Sequence, residues 1–509
     1  MPLRIRFALF TVVVACLLPG CAGARTASTS RSSVEPLNPS TVAHVDRRNG
    51  QSADDWPDPT VAIWSEDSSS DRSEINLTSA TEEALHPNLV PPEAPALAPV
   101  EGHQGSYWTL ASLEAVALEN NPAIRQASAS AHKAVGFRDQ VGTKPNPTIG
   151  YNGTQLADRG TDQHVAFVEQ DFVTAGKLSR NRAVLNQEVQ SQLWEVEAQR
   201  YRVLTDVRQR YFEALAAQRR LQLATEFQGI ASKGVDIAKA RVEAKEGAVP
   251  DVLQAEIQLN QVEIQRRQAV AAFRGAWDQL MAVAGISGTS PGILDGTLPN
   301  SIEIVDMQSI KGVALASSPE LQAARARVAR ARSNIDRQEV QAIPNLSFQL
   351  AGGVDNSTNS GMINAQVGLP VPIFNRNEGN IAAAYAELSR ACQELRRIEL
   401  SIESRMARGT QEYESAAAAV EEYQQQILPK AQQTLSLSEE AYAAGEFGFL
   451  QVLVARRTYF ESNLEFVVAQ SNLAQAEAYL QGLALSGGLS DTPDTAFDSG
   501  LRDQSLNGQ

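Results

Sequence analysis

The chain has 509 residues, a formal net charge of −15 and only 6% aromatic residues. An acidic chain with no basic stripe cannot neutralise a phosphate backbone, which excludes nucleic acid as a ligand. Few aromatics, and long runs dominated by Ala, Gln, Glu, Arg and Leu, point to long packed helices rather than several compact globular cores.

The first 20 residues read as an export signal. Arg4 and Arg6 form a basic start, residues 7–18 a short apolar run, and Leu18-Pro19-Gly20-Cys21 follows. The run is too short for a bilayer span, and its flanks suit secretion. A small residue before cysteine marks a bacterial lipoprotein cleavage site. Lipidation (diacylglycerol and palmitate) is therefore expected at Cys21, placing an anchor in outer-membrane lipid. An ordinary signal peptide with a chance cysteine is the competing reading. A single acyl chain holds only reversibly, so a permanent resident needs a second membrane element. Of the other cysteines, Cys16 lies in the signal, and Cys392 stands alone in a helical run with no histidine to activate it. Cys392 is expected to be a small helix-packing residue.

Residues 21–107 are rich in Ser, Pro, Asp and Glu and read as a disordered acidic tether. Positions 22–107 carry 13 acidic and 5 basic residues, so about half of the net charge belongs to solvated chain. Trp56 and Trp64 are assigned no structure. Residues 109–141 follow with helical spacing, Thr109 as N-cap and Leu113, Val116, Ala117 and Leu118 opening an apolar stripe. Pro145 and Pro147 end it.

The period then changes to two. Ile149 and Tyr151 alternate with Gly150 and Asn152, and a second strand covers about residues 164–172. The pattern is cleaner later. Leu346, Phe348 and Leu350 alternate with Ser347 and Gln349, and Ile363, Ala365, Val367 and Leu369 alternate with Asn364, Gln366 and Gly368. Four strands in two hairpins, each with one apolar and one polar face, suit a membrane barrel with a wet lumen. Four cannot close a channel-sized barrel, so several chains must contribute. A small soluble sheet capping a helical bundle is the alternative.

Residues 176–245 and 376–443 are Gln/Glu/Ala/Arg-rich runs near 70 residues, each reaching about 100 Å as a continuous helix. Helices of that length must pack side by side as in a coiled coil. Leu204, Val207, Tyr211, Phe212 and Leu215 form a candidate seam, and the four alanines at 416–419 permit close approach. Pro429 should interrupt the second run. Residues 286–307 read as a linker and 486–509 as a frayed tail.

The plan is stated twice. Asn121-Pro122 returns as Ser318-Pro319, Pro145-Asn146 as Pro344-Asn345, Phe172 as Phe374, Gly247 as Gly445, and Asp251-Val252-Leu253 as Gln451-Val452-Leu453, with offsets of 197 to 202. The unit is too long for a solenoid repeat. It is a duplicated helix–hairpin–helix–helix module over 108–285 and 308–485.

With these landmarks the chain resembles the TolC-like outer-membrane efflux factors over about residues 108–484. Ala117-Leu118-Glu119-Asn120-Asn121-Pro122 is similar to the family's opening motif. Thr174-Ala175-Gly176-Lys177-Leu178-Ser179-Arg180 and Leu369-Pro370-Val371-Pro372-Ile373-Phe374-Asn375-Arg376-Asn377 resemble the CzcC-like branch, associated with export of divalent heavy-metal cations. The resemblance implies a mainly α fold with a small β part: a long α-helical tunnel plus four strands per chain, which in a homotrimer make a 12-stranded outer-membrane β-barrel. It also implies a periplasmic adaptor (a membrane fusion protein) and an inner-membrane RND-type pump as partners. The family's periplasmic tips map to Gly247, Ala248, Val249 and Pro250 and to Gly445, Glu446, Phe447 and Gly448, and these are the expected adaptor contacts. Glycine suits such turns because a helix end often needs positive φ.

Relatives close the tunnel with aspartates after the second tip, whereas Gln451 and Val454 stand at the corresponding positions here. Asp251 and Glu256, after the first tip, are the substitute gate candidates, since three-fold rings of acid favour cations. Exposed helix-surface charge is the equal alternative. Arg456 and Arg457 are expected to pair with acidic neighbours and hold the tip closed.

No catalytic set, phosphate loop or cofactor site is legible. His44, His86, His103, His132 and His164 lack metal-ligand spacing, so no metal site is assigned. A passive duct is the leading function, for heavy-metal cations, drugs or a secreted protein. A non-conducting trimeric lipoprotein spacer is the competitor.

Overall fold

The computed structural model describes residues 107–157, 160–245, 247–300 and 306–490. The signal segment with Cys16 and Cys21, the acidic tether and the last part of the tail lie outside the described residues.

The first module runs β1 (Tyr107–Trp108), α1 (Leu110–Asn120), α2 (Pro122–Val141), β2 (Thr148–Thr154), β3 (Gln163–Phe172), α3 (Lys177–Glu243) and α4 (Val249–Val283). After β4 (Ile293–Leu294), the second runs α5 (Met307–Ser317), α6 (Pro319–Gln341), β5 (Leu346–Asp355), β6 (Ser360–Gly368), α7 (Glu378–Glu422), α8 (Leu428–Ala443) and α9 (Phe449–Gln481). The duplicated order keeps the expected helix–hairpin–helix–helix plan, with the opening helix of each module split in two and the short strands β1 and β4 added.

Thr109 caps α1 by accepting from the Ser112 N–H. The apolar stretch 109–141 is nevertheless two helices rather than one, because Asn121 adopts φ −64°, ψ 123° and Pro122 starts a new helix. Proline biases its predecessor away from helical geometry and is itself well placed at a helix start. The buried Asn121 side chain accepts from the Ala123 N–H and donates to the Val283 carbonyl at 2.8 Å. It thereby caps α2 and closes the end of α4 together.

The 67-residue α3 is unbroken and spans about 100 Å. Its counterpart is interrupted as Pro429 requires. Proline lacks the N–H that would bond Gln425, and the preceding turn (Tyr423–Ile427) widens into a π-helix in which the Leu428 N–H reaches back to Tyr423. The expected seam on α3 is buried at Val207, Tyr211 and Leu215. Leu204 and Phe212 are only half-buried, with Val203 and Ala214 taking their place.

Each module has its own core. The first gathers Leu113, Ile124, Val207, Tyr211, Trp277 and Leu280, and the second Leu321, Ile402, Met406, Tyr413, Leu473 and Leu480. The linker is more ordered than its composition implies. β4 pairs in parallel with β1, the Tyr211 hydroxyl donates to the Asp295 carbonyl at 2.6 Å, and Gln218 bonds both the N–H and the carbonyl of Leu294. The start of the tail is also docked rather than frayed. Leu485 is fully buried, and the Asp206 carboxylate accepts from the N–H groups of Gly487 and Gly488. Linker residues 294–295 and tail residues 487–488 are both bonded to the middle of α3.

The two hairpins merge into one antiparallel sheet ordered β2-β3-β5-β6, with β3 and β5 paired from Gln163↔Asp355 to Phe172↔Leu346. The sequence alternates to Leu369, but β6 stops at Gly368. Pro370 and Pro372 cannot donate to a ladder, and residues 369–377 are irregular. Cys392 is exposed on α7 rather than packed.

Candidate functional site

The sheet register sorts its side chains by face. Residues paired across strands share a face. One face collects Ile149, Tyr151, Ala166, Val168, Phe172, Phe348, Leu350, Val354, Ile363, Ala365 and Val367, with His164 and Gln170 as its polar members. The other collects Asn152, Glu169, Asp171, Ser347, Gln349, Asn364 and Gln366, with Phe167 covering Gly150. The apolar face is bare: Ile363 is 82% exposed and Ile149 78%. Among the described residues nothing covers it, and β2 and β6 have open edges. The face is apolar enough for lipid, while its reverse is fit for water. Among the described residues no helix is long and apolar enough to cross a membrane.

At the far ends of the long helices lie two tight turns. In the second, Gly445 adopts φ 79°, its N–H bonds the Tyr442 carbonyl, and the Glu446 N–H bonds the Ala441 carbonyl. This is a Schellman stop. In the first, the left-handed residue is Lys245 (φ 61°), not Gly247 as expected. Glycine at 247 eases a close approach instead. Its N–H bonds the Arg241 carbonyl, and a Cβ there would sit 3.1 Å from the Arg241 Cβ. Val249 and Phe447 are exposed at these turns, with Ala248 and Gly448 as the following N-caps.

The four gate candidates do not form one cluster. Asp251 sits in the first turn of α4, where its carboxylate accepts from the Ala248 N–H at 3.4 Å. Glu256 pairs with Lys239 across the first hairpin at 3.0 Å. Gln451 and Val454 line a shallow groove between α8 and α9 with Ala431, Thr434, Phe447 and Leu450.

The two arginines differ. Arg456 donates twice to Glu439 (3.0 and 2.8 Å), joining α9 to α8, and its guanidinium also lies against Gly234 of α3. Arg457 pairs with Glu461 on its own helix. Contacts between the two hairpins escaped sequence reasoning. Arg241 lies 4.7 Å from the centroid of the Tyr442 ring, and Phe227 stacks on Phe460 at 4.2 Å and 5°. Their only signal was isolated aromatics in Ala/Gln-rich runs, which names no partner.

Nearer the sheet, α3 and α6 are joined by a polar ladder. Asn181 accepts from Arg337, Glu188 pairs with Arg330 and Glu195 with Arg327. Repeats of seven (181, 188, 195 and 330, 337) keep these groups on one seam. On α4, Arg266 and Arg267 hold the Glu263 carboxyl down to about 2, and Gln228 of α3 donates to it as well. Among the described residues no group of three or more His, Cys, Asp or Glu is gathered as a metal site.

Comparison with known proteins gives this geometry a context. The family model for outer membrane efflux proteins matches residues 114–286 and 312–484, the two modules. The chain is 26% identical over 266 residues to the cobalt-zinc-cadmium resistance protein CzcC of Cupriavidus metallidurans, a match covering 52% of this chain and 63% of that protein. Among solved structures it is similar to CusC, with TM-score 0.61 and 19% identity over 76% of this chain and 96% of that one. It is also similar to the outer membrane protein VceC of Vibrio cholerae, with TM-score 0.59 and 19% identity over 74% and 96%. Two family matches that coincide with the two structural modules leave one assignment: the chain belongs to the outer membrane efflux protein family.

Proposed function

We propose that this protein is the outer-membrane exit duct of a tripartite efflux assembly. The observation that carries the reading is the four-stranded sheet, apolar on one face and polar on the other, with two open edges and helices of about 100 Å leading away from it. Open strand edges are self-complementary and call for pairing. Three copies joined β6 to β2 make a closed 12-stranded barrel, and their helices make the periplasmic tunnel.

The duct has no chemical step of its own. The turns at Gly247, Ala248 and Val249 and at Gly445, Glu446 and Phe447 face an adaptor, and an inner-membrane pump supplies energy. Divalent heavy-metal cations are the favoured cargo, on the similarity to CzcC. Lipidation at Cys21 adds the second membrane hold. Asp251 acts as fixed negative charge near the tunnel end, the charge of Glu256 being offset there by Lys239, and Gln451 and Val454 line the groove at the second tip.

The test is single-channel recording on purified protein in planar bilayers. Discrete conductance supports the duct. Folded protein that never conducts supports a periplasmic spacer instead.

A further inference from the structure

The connection between strand and long helix differs between the modules. In the first, four residues (173–176) separate β3 from α3. In the second, nine residues (369–377) separate β6 from α7. The longer connection contains Leu369-Pro370-Val371-Pro372-Ile373-Phe374. Phe374 is 99% exposed, and Leu369, Val371 and Ile373 are each more than half exposed.

This strap is not loose. At one end Ser347 donates to the Gly368 carbonyl at 3.2 Å. At the other, the left-handed Asn377 donates to both the main-chain and side-chain oxygens of Gln338 (2.7 and 3.0 Å), and the Asn375 side chain accepts from the Asn377 N–H. Two prolines restrict the stretch between. An apolar segment pinned at both ends and left uncovered is pre-organised for a partner.

The first module shows where such a connection sits. There Thr174 donates to the Pro344 carbonyl at 2.5 Å, and Lys177 donates to the Asn345 side chain at 2.9 Å. The connection of one module thus seats on the Pro-Asn step that leads into the first strand of the other. The equivalent step is Pro145-Asn146, leading into β2, an edge strand with no neighbour on one side among the described residues. Residues 146–149 after it are exposed, Ile149 strongly so. The strap itself runs directly from β6, the other open edge.

We propose that the strap at residues 369–374 is an intersubunit clasp that seats on residues 145–149 of a second copy of this chain. It repeats between chains the seat that the first module makes within one. The inference rests on the oligomeric duct reading above. Burying four large apolar side chains at each seam would stabilise the junction where sheet gives way to helix.

The test places p-benzoylphenylalanine at position 374 of the full-length protein in outer membranes, irradiates it and maps the adducts. The expected result is adducts with masses of two and three chains, joined to peptides containing residues 145–149. Adducts confined to lipid or to a single chain, in protein whose native mass is trimeric, overturn the clasp and leave the duct standing. A monomeric native mass overturns both. As a second readout, Phe374→Ser should lower the temperature at which the oligomer dissociates in detergent by several degrees with helix content unchanged. An unchanged dissociation temperature also counts against the clasp.

Discussion

Asn121 donates its side-chain amide to the carbonyl of Val283 at 2.8 Å across 162 residues of chain, in a position with no access to solvent. One residue therefore caps the start of α2 and closes the end of α4. Gly285 (φ 77°) completes the joint, since a Cβ there would lie 2.7 Å from the Asn120 main-chain carbon and oxygen. The second module lacks this device. Its equivalent residue, Ser318, is buried, and its Oγ has no hydrogen-bond partner among the described residues.

The asymmetry gives a paired expectation. Asn121→Ala removes a cap and strands a buried carbonyl, each worth about 1–2 kcal/mol, and should lower the thermal midpoint in detergent clearly. Ser318→Ala removes an unsatisfied hydroxyl and should change it by less than about 0.5 kcal/mol. Equal effects of the two substitutions would show that the Asn121 bridge carries no special weight.

The faces of the sheet are tested by charge. Ile363→Arg puts a cation on the apolar face and should cost about 2–4 kcal/mol near the bilayer midplane, falling toward zero near the interfaces. Asn364→Arg, one residue along and on the polar face, should insert normally. Membrane yield of the two variants reads this out, and equal yields would contradict the face assignment.

Arg456 and Arg457 separate a tip lock from surface charge. Arg456 bridges α8 and α9 and touches α3, whereas Arg457 pairs with Glu461 on its own helix. Arg456→Leu should raise single-channel conductance severalfold, while Arg457→Leu leaves it unchanged. Neither substitution should lower stability much, because exposed ion pairs are screened by solvent. No change with Arg456→Leu would remove it from any role in closure.

Glu263 sets a pH expectation. Its carboxyl is held down to about 2 from an ordinary 4.5 by hydrogen bonds from Arg266 and Arg267. A depressed folded-state value means that the unfolded chain binds more protons between those limits, so the contribution is present above pH 4.5 and lost as pH falls toward 2. Glu263→Gln should reduce acid-dependent loss of α3–α4 hairpin structure over that window, as followed by circular dichroism. An unaltered profile would place the acid sensitivity elsewhere.

Much of the architecture was legible because it rests on local signals. Proline at 429, period-two runs at 148–154 and 346–355, and the 200-residue recurrence each act through backbone geometry, whereas the break at Pro122 inside the 109–141 stretch was not expected. What escaped the sequence depends on meetings between distant residues. Phe227 on Phe460, Arg241 on Tyr442 and Asp206 on the Gly487 and Gly488 N–H groups join positions more than 200 residues apart, and no spacing rule names them. The first tip shows the finer limit. Glycine at 247 signalled a turn correctly, yet the left-handed conformation fell on Lys245, because a tight approach to Arg241 claims the glycine instead.

The most direct measurement takes the mature protein from outer membranes in detergent and records native mass and single-channel conductance on the same preparation. A mass of three chains with discrete conductance is the result expected of the duct. A folded monomer, or an oligomer that never conducts, would contradict it.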